Sequence, residues 1–548
     1  FLISRTLVAR VQHEATMTSA AELGIHQLQT SLPTPVCARD VRGPWSLTLN
    51  GTPASVIPTC QAIVPDIAKG LATGALTAFA IDGVHDTSAG RNRYLVSGSV
   101  VPGAAGVLRG YSFGQTGSSW SVQIGGAQTA ALLPKVDSSG SSVLLIPAAI
   151  PGSGCGGQCV ALFNDAVDPP KFRCSMPSNA AVTTTPASEL KGSGSSNFPD
   201  YAFFSDSAGA GRLYVYNASA AGSCNQLASV TVGGLAVGAP LVFPGAVSGR
   251  SGDQTVSDEI YVLVTSGAGT SLKHFRYSET TECNRDCDNG NGNGTTVTLG
   301  LLNTTSLGPA FGGNAVGYAS SSTSAVPGTT ISLAIAGASG MLTIAQITVS
   351  RGPSYAASVG VVGALAGGVA RAPYWCHCPG QDLIGVGSTN GSLYVLSNKL
   401  VMLWLYDGKA DGSPAINSIP MADANGDWYF GADDGYVYDV EIPTAGAKMF
   451  KAARFGPGGA IRSSPILGTL ADGCLTGPCL YFASTSAGSY FVRLGGTRIF
   501  DLQACISTAA GSTTCVGNPH LWARVEVGPI SVIGGSGVYV KGWSYYSP

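Results

Sequence analysis

A Gly-rich loop carries the side chains best suited to bind a metal ion. Asp286, Asp288, Asn291 and Asn293 supply oxygen atoms within one short stretch. Calcium binds six to eight oxygen ligands in flexible loops, so these four residues are candidate calcium ligands. No bidentate Glu follows as in an EF-hand, and the alternative is a solvated loop closed by a disulfide. A second stretch, Asp423 to Asp427, favours a hairpin turn over a calcium site.

Two further motifs could indicate chemistry but lack the required context. Cys376-His377-Cys378 offers three soft ligands. In a strand, His377 points away from both cysteines, so one zinc ion cannot readily use all three. Gly110 to Gly114 matches the G-x-S-x-G pattern of hydrolases, yet it lies in an alternating strand with no helical pattern after it. We therefore expect no catalytic residues and no enzyme activity.

The cysteines indicate the compartment. The chain has 14 of them, an even count with short local spacings, which is typical of disulfides formed in an oxidising space. We expect an extracellular or cell-surface protein. The expected pairs are neighbours in sequence: Cys37/Cys60, Cys155/Cys159, Cys174/Cys224, Cys283/Cys287, Cys376/Cys378, Cys474/Cys479 and Cys505/Cys515.

Composition excludes several classes of protein. Charged residues make up 11% of the 548 residues and the net charge is −2, which gives no electrostatic reason to expect a nucleic-acid partner. The mean hydropathy is too high for a disordered chain. The sequence contains no apolar run long enough to span a bilayer.

The elements that would position any site are repeated β-hairpins. Residues 382–440 contain two copies of an apolar run, a turn ending in Gly, and an alternating strand. Asn390-Gly391 and Asp434-Gly435 are turn dipeptides that accept positive φ at low cost. Hairpins that recur at this spacing are typical of β-propeller blades.

An X-Pro dipeptide precedes or opens most copies of the repeat. Proline is tolerated at the first residue of a strand, where no ladder hydrogen bond is lost. Eight such strands predict a mostly β fold, an eight-bladed β-propeller. The prolines are Pro134, Pro186, Pro240, Pro309, Pro373, Pro414, Pro465 and Pro529.

This repeat resembles the PQQ-type (quinoprotein-like) propeller repeat. The matching elements are Gly391–Leu396, Leu403–Tyr406 and Ser463–Pro465. The match is good over residues 370–500 and loose over 90–370. The adjacent Cys-Cys pair of PQQ-dependent dehydrogenases is absent from the sequence, so the resemblance implies the fold and not the cofactor. We expect no cofactor other than the possible calcium ion.

Residues 1–32 differ from the rest of the chain. Their apolar residues have helical spacing, and Pro33 ends the pattern. The segment resembles the N-terminal helix of minor pilins of type IV pili. The alternative is an amphipathic packing helix. Arg5 and Arg10 depart from the apolar first half of pilin helices. The matching residues are Ala20, Ala21, Glu22, Gly24, Ile25, Gln27, Leu28 and Leu32.

These observations predict three regions. Residues 1–32 form a projecting helix, 33–90 a disulfide-containing stalk with a hairpin at Asn50-Gly51 and a short helix in 62–80, and 91–548 the propeller. We expect the C-terminal strands, including 528–533, to complete an unfinished first blade and so close the ring.

With these resemblances, the function expected is that of a non-enzymatic extracellular structural or binding subunit of the bacterial envelope. It would be a propeller head carried on a pilin-like helix in a surface filament or a type IV pilus-like assembly, with a role in adhesion or surface interaction. Its partners would be itself or other pilin-like subunits, bound through the helix, with a surface ligand or glycan as a possible partner of the propeller. The alternatives are a periplasmic scaffold for envelope assembly and a propeller enzyme acting on glycans or small alcohols. The residues expected to make assembly contacts are Leu7, Val11, Leu23, Ile25 and Leu28.

Overall fold

A computed structural model provides the structure of the chain. It describes residues 2–546 apart from 31–44, 50, 70–76, 87–90, 100–105, 113–119, 125–131, 139, 148–157, 166, 168, 190–197, 220–223, 251–252, 268, 284–292, 308–314, 322–328, 349–351, 362, 374–381, 423–426, 443–447, 456–458, 469–478, 485–487, 510–511, 513–514, 517–520 and 533–534.

The chain begins with one helix and two paired strands. They are α1 (Leu2–Thr30), β1 (Trp45–Leu49) and β2 (Thr52–Lys69). Leu49 pairs with Thr52, which confirms the predicted hairpin around Asn50-Gly51. The predicted short helix within 62–80 is wrong, because β2 continues as a strand to Lys69 and the next strand starts at Thr77.

Seven antiparallel sheets follow in chain order. Sheet 1 contains β3 (Thr77–Asp86), β4 (Arg91–Ser99), β5 (Gly106–Ser112) and β6 (Trp120–Ile124). Sheet 2 contains β7 (Leu133–Val136), β8 (Ser142–Pro147), β9 (Cys159–Asn164) and β10 (Lys171–Pro177). Sheet 3 contains β11 (Ala187–Glu189), β12 (Tyr201–Asp206), β13 (Arg212–Asn217) and β14 (Gln226–Thr231).

Sheet 4 contains β15 (Leu235–Phe243), β16 (Ser248–Arg250), β17 (Asp253–Ser266), β18 (Gly269–Cys283) and β19 (Asn293–Ser306). Sheet 5 contains β20 (Ala315–Ser320), β21 (Thr330–Gly337), β22 (Met341–Thr348) and β23 (Gly352–Gly360). Sheet 6 contains β24 (Leu365–Pro373), β25 (Asp382–Ser388), β26 (Leu393–Ser397) and β27 (Met402–Tyr406). Sheet 7 contains β28 (Met421–Ala422), β29 (Trp428–Gly431), β30 (Val437–Glu441) and β31 (Phe450–Phe455).

Sheet 8 is built from both ends of the chain. Its C-terminal strands are β32 (Ile466–Gly468), β33 (Cys479–Ser484), β34 (Gly488–Ile506), β35 (Leu521–Val532) and β36 (Gly535–Tyr546). The first part of β34 pairs with β33 and with residues 66–69 of β2. The N-terminal strand β2 therefore supplies the outer strand of this sheet.

The sheets succeed one another as the blades of a β-propeller. The innermost strands β11, β15, β20, β24 and β28 contact one another in succession, and β3 contacts both β7 and β32. Apolar clusters fill the described interfaces between successive sheets 2 to 7. Trp428, for example, is fully buried between sheets 6 and 7. Burial of this apolar surface is the main stabilising contribution to the ring.

The turn glycines behave as the sequence predicts. Gly391 and Gly435 have φ of 82° and 88°, values that a residue with a Cβ rarely adopts. Each allows a tight turn between the second and third strand of its sheet.

The ring does not close as predicted. Sheet 1 has four strands of its own, and Pro529 lies in β35, outside the ring. The second part of β34, residues 497–506, pairs with residues 54–64 of β2 and with β35. We call α1, β1, residues 52–64, residues 497–506, β35 and β36 the base module. The predicted boundaries at 90 and 91 therefore do not separate two units, because β3 belongs to the ring and the C-terminal strands to the base module.

Candidate assembly module and buried polar clusters

The second half of α1 lies on the sheet of the base module. Met17, Ala20, Ala21 and Ile25 are buried there. The small side chains Ala20 and Ala21 let the helix approach the sheet closely. The residues of the sheet that they contact as one cluster are Ala54, Val56, Leu502, Ala504, Ala523 and Val525.

This packing changes the expectation of a wholly projecting helix. Ile25 is 7% exposed, so its side chain serves the core of its own chain, and the prediction that it makes assembly contacts is wrong. Leu23 is half-buried. The side chains of Leu7, Val11 and Leu28 lie outside the described residues, and their assembly role stays a prediction.

The face of the helix opposite this contact is polar, because Glu22 and His26 are exposed there. Gln12, His13, Glu14 and Ala15 are all exposed, and four consecutive residues span almost a full turn, so this turn does not pack on the sheet. An apolar stripe against the sheet with polar residues towards water is the usual pattern of a helix packed on one side. Within the described part of the chain, no helix combines the length and the apolar character needed to cross a membrane.

The predicted calcium ligands cannot be placed together. Asp286, Asp288 and Asn291 lie outside the described residues, and Asn293 is the first residue of β19, opposite Cys283. Across the described ranges, no group of three or more His, Cys, Asp or Glu side chains is arranged to hold a metal ion. The calcium site stays a prediction.

Two disulfides are described, and both belong to the seven expected pairs. Cys174 is bonded to Cys224, and Cys505 to Cys515. The first links β10 of sheet 2 to the segment that precedes β14 of sheet 3. The second lies beside the base module. These two pairings of sequence neighbours are confirmed.

The pairings expected for Cys60 and Cys287 are not confirmed. Cys60 lies in β2, where its backbone pairs with that of Phe500 in β34, but its side chain and its expected partner Cys37 lie outside the described residues. The sequence predicted that Cys60 lies in a separate stalk. Instead, Cys60 lies in β2, a long strand shared by the base module and the ring. Cys287 lies outside the described residues, and so does the side chain of Cys283 at the end of β18.

The other three expected pairs also stay predictions. Cys159 is disulfide-bonded, but its expected partner Cys155 lies outside the described residues. For the last two pairs, none of the four side chains is described, although the backbone of Cys479 begins β33. These last two pairs are Cys376/Cys378 and Cys474/Cys479.

A buried acid–base cluster lies on the side of sheet 4 that faces sheet 5. Glu259 contacts His274 Nε2 through one carboxylate oxygen, and its other oxygen accepts two hydrogen bonds from Arg276. Burial would raise the pKa of Glu259, but the hydrogen bonds from His274 and Arg276 outweigh it and hold the pKa below its ordinary value. The ring of Tyr261 stacks on His274 with centroids 4.4 Å apart.

A second cluster lies between sheets 3 and 4. Tyr201 and Tyr277 both donate hydrogen bonds to Oε2 of Glu279, at 2.8 and 2.6 Å. All three residues are buried. Burial, together with the neighbouring ionisable groups, raises the pKa of both tyrosines above the ordinary range. The carboxylate is therefore held by neutral donors inside the wall of the ring.

A tyrosine–aspartate contact recurs at the hairpin turns. Tyr214 donates to Asp206 at 2.8 Å, and Tyr438 donates to Asp434 at 2.6 Å. Asp206 also accepts hydrogen bonds from the backbone N–H groups of Asn179 and Ala180. These hydrogen bonds connect strands to turns, so the carboxylates of Asp206 and Asp434 stabilise the hairpins.

The sequence did not single out these clusters. The signal was present in β18, where ionisable and aromatic residues alternate from His274 to Tyr277 and Glu279 follows two residues later. Ionisable side chains in a strand buried on both faces must be paired. By contrast, Ser112 of the G-x-S-x-G match lies in β5, opposite Arg93, as an ordinary ladder residue.

Comparison with known proteins finds only distant structural similarity. No protein-family model matches the chain, and no curated protein matches it. Among solved structures, the chain is similar to Saccharomyces cerevisiae Sqt1, with 13% identity, a TM-score of 0.46, and coverage of 79% of this chain and 98% of that one. It is also similar to BBS1N in complex with ARL6DN (12% identity, TM-score 0.38, 79% and 96% coverage) and to the RRP9 WD40 repeats (12%, 0.35, 66% and 93%). The strand pairing described above, and not these similarities, shows that the fold is a β-propeller.

Proposed function

We propose that this protein is a non-enzymatic surface subunit, in which the base module joins a filament or envelope assembly and the propeller is presented as a structural or binding head. The supporting observation is the way the ring is connected. Both β2 and β34 run continuously from the ring into the base module. Two paired strands resist bending better than a single linker does. A force applied to the helix, or a position imposed on it, is therefore transmitted to the propeller.

The first part of α1 is the proposed assembly element. Residues 17–25 are anchored by the burial of Met17, Ala20, Ala21 and Ile25 on the sheet, and the helix backbone continues without a break to Leu2. Leu7 and Val11 lie on this continuation. Apolar residues there would gain about 1.5–3 kcal/mol each if buried between neighbouring subunits.

We infer that the buried clusters described above have structural roles. The carboxylates of Glu259 and Glu279 each accept hydrogen bonds from side chains of their own chain. The disulfides Cys174–Cys224 and Cys505–Cys515 support an oxidising location such as the cell surface.

The test is the double variant Leu7→Lys/Val11→Lys, expressed in the source cells. We expect the variant to fold and to remain monomeric, with its amount in sheared surface filaments reduced at least about tenfold. His13→Lys is the matched control, since His13 is exposed on the side of the same helix away from Leu7 and Val11. If the double variant enters filaments as the control does, the helix makes no assembly contact and the proposal is wrong.

A further inference from the structure

Arginine side chains in this protein use one edge of the guanidinium group to hold carboxylates. Arg276 donates from Nε and Nη2 to Glu259 at 3.0 and 2.7 Å. Arg462 donates from the same two atoms to the two oxygens of Asp433, at 3.1 and 3.3 Å. The pair Nε and Nη2, called here the fork, matches the spacing of carboxylate or phosphate oxygens.

The fork of Arg371 is unoccupied. Arg371 lies on β24, the innermost strand of sheet 6, and its side chain is 8% exposed. Nη1 donates to Asp382 at 2.7 Å, but Nε and Nη2 are buried and have no hydrogen-bond partner among the described residues. Buried charged donors without partners are rare because their desolvation is not compensated.

The direction of the side chain follows from the strand. Val369, two residues earlier, packs in the cluster shared with Ala334 and Ala336 of sheet 5. Residues two apart on a strand share a face, and the register from Val369 to Arg371 is regular. Arg371 therefore faces sheet 5, at the end of β24 that leads to Asp382.

Neighbouring parts of the chain offer no second acid. The sequence between Pro373 and Asp382 contains no Asp or Glu, and neither do β20 and β21, the two strands of sheet 5 that contact β24. Asp382 is 35% exposed, so water weakens its compensation of the buried charge. Burial lowers the pKa of Arg371 despite Asp382, as expected for a cation that is only partly compensated.

We propose that the fork of Arg371 binds the carboxylate or phosphate group of an anionic ligand at the boundary of sheets 5 and 6. The ligand oxygens replace the missing acceptors of Nε and Nη2, as Glu259 does for Arg276. Because β24 is the innermost strand of sheet 6, the ligand would reach this group from the axis of the ring. The proposal concerns the head alone and does not depend on the assembly role of α1.

The test uses the full chain and two probes, acetate and inorganic phosphate, each titrated at an ionic strength matched with chloride. Thermal unfolding and calorimetry should show saturable binding of at least one probe. Binding of acetate alone identifies a carboxylate ligand, and binding of phosphate alone identifies a phosphorylated one. Arg371→Lys keeps the charge but loses the fork, so the dissociation constant should rise at least about tenfold.

Two further variants separate binding from folding. Arg462→Lys changes a fork that is already filled and should bind the probe as the wild type does. Asp382→Asn leaves the Arg371 fork intact and should retain or tighten binding. The proposal is overturned if neither probe stabilises the wild type beyond chloride, or if Arg371→Lys binds equally well.

Discussion

Gly24 of α1 lies directly against Val56 of β2. A Cβ added at Gly24 would come within 3.1 Å of both Val56 Cγ2 and Leu502 Cδ1, closer than most real Cβ contacts. The helix therefore touches the sheet with its backbone at this point. Gly24 is unfavourable within a helix on propensity alone, and its close approach to the sheet explains why it is there.

Gly24→Val should loosen the helix from the base module. The added side chain must displace Val56 or lift α1, and overpacking of this kind costs about 1–3 kcal/mol. Hydrogen exchange of residues 12–27 should become faster, while the ring strands keep their protection. Ala15→Val, on the exposed face of α1, is the control and should change neither. Unchanged exchange in Gly24→Val would show that the helix does not rest on this sheet.

The ring should depend on residues 66–69 of β2 and not on the last two strands, β35 and β36. Ile67→Pro removes a backbone donor from the pairing of β2 with β34, where Ile67 lies opposite Val492. We expect a loss of about 3 kcal/mol or more and an increase in aggregation from the exposed sheet edge.

Deletion of residues 535–548 is the matched comparison for this change. It removes β36, which pairs only with β35, so a stable ring should remain. If the Ile67→Pro protein is soluble and the deletion variant aggregates, the C-terminal strand β36, and not residues 66–69 of β2, closes the ring.

The sequence predicted the local elements well because local signals determine them. The turn dipeptide Asn390-Gly391 and the alternation of Leu393 to Ser397 specify a hairpin whatever surrounds them. The strand order within sheets 6 and 7 follows, because consecutive strands joined by short turns pair with each other.

The sequence could not show where the two ends of the chain meet. Val56 pairs with Ala504, and no local pattern in either strand indicates which strand it pairs with. Long strands such as β2 and β34 also look like two elements in sequence, since one part lies in the ring and the other in the base module. The burial of the Arg371 fork could likewise not be predicted, because a single Arg in a strand does not indicate which residues its side chain faces.

The Cys174–Cys224 bond should stabilise the protein more than the Cys505–Cys515 bond. The two loops span 50 and 10 residues, and chain entropy predicts contributions of about 4 and about 3 kcal/mol. Replacing each pair by Ala and measuring unfolding in urea compares them directly. A larger loss for the Cys505/Cys515 variant would indicate that local packing, and not loop closure, dominates these bonds.

Alkaline pH should weaken the ring through Tyr214. Its side chain is 2% exposed, and its hydroxyl donates to Asp206. Burial, reinforced by Asp206, raises the pKa of Tyr214 to about 12, against about 10 in the unfolded chain. The folded state thus binds the proton more tightly, so this stabilisation is complete below about pH 10 and is lost as the pH rises towards 12.

Tyr214→Phe isolates this contribution. The variant should be less stable by about 1 kcal/mol near neutral pH, because Asp206 loses a donor. The difference in unfolding free energy between wild type and variant should then shrink from about pH 10 upwards. Phe204→Leu is the control, since Phe204 stacks on Tyr214 with centroids 5.3 Å apart but cannot ionise, and its deficit should not change with pH. A wild-type advantage over Tyr214→Phe that stays constant to pH 12 would mean that Tyr214 ionises at the same pH in both states.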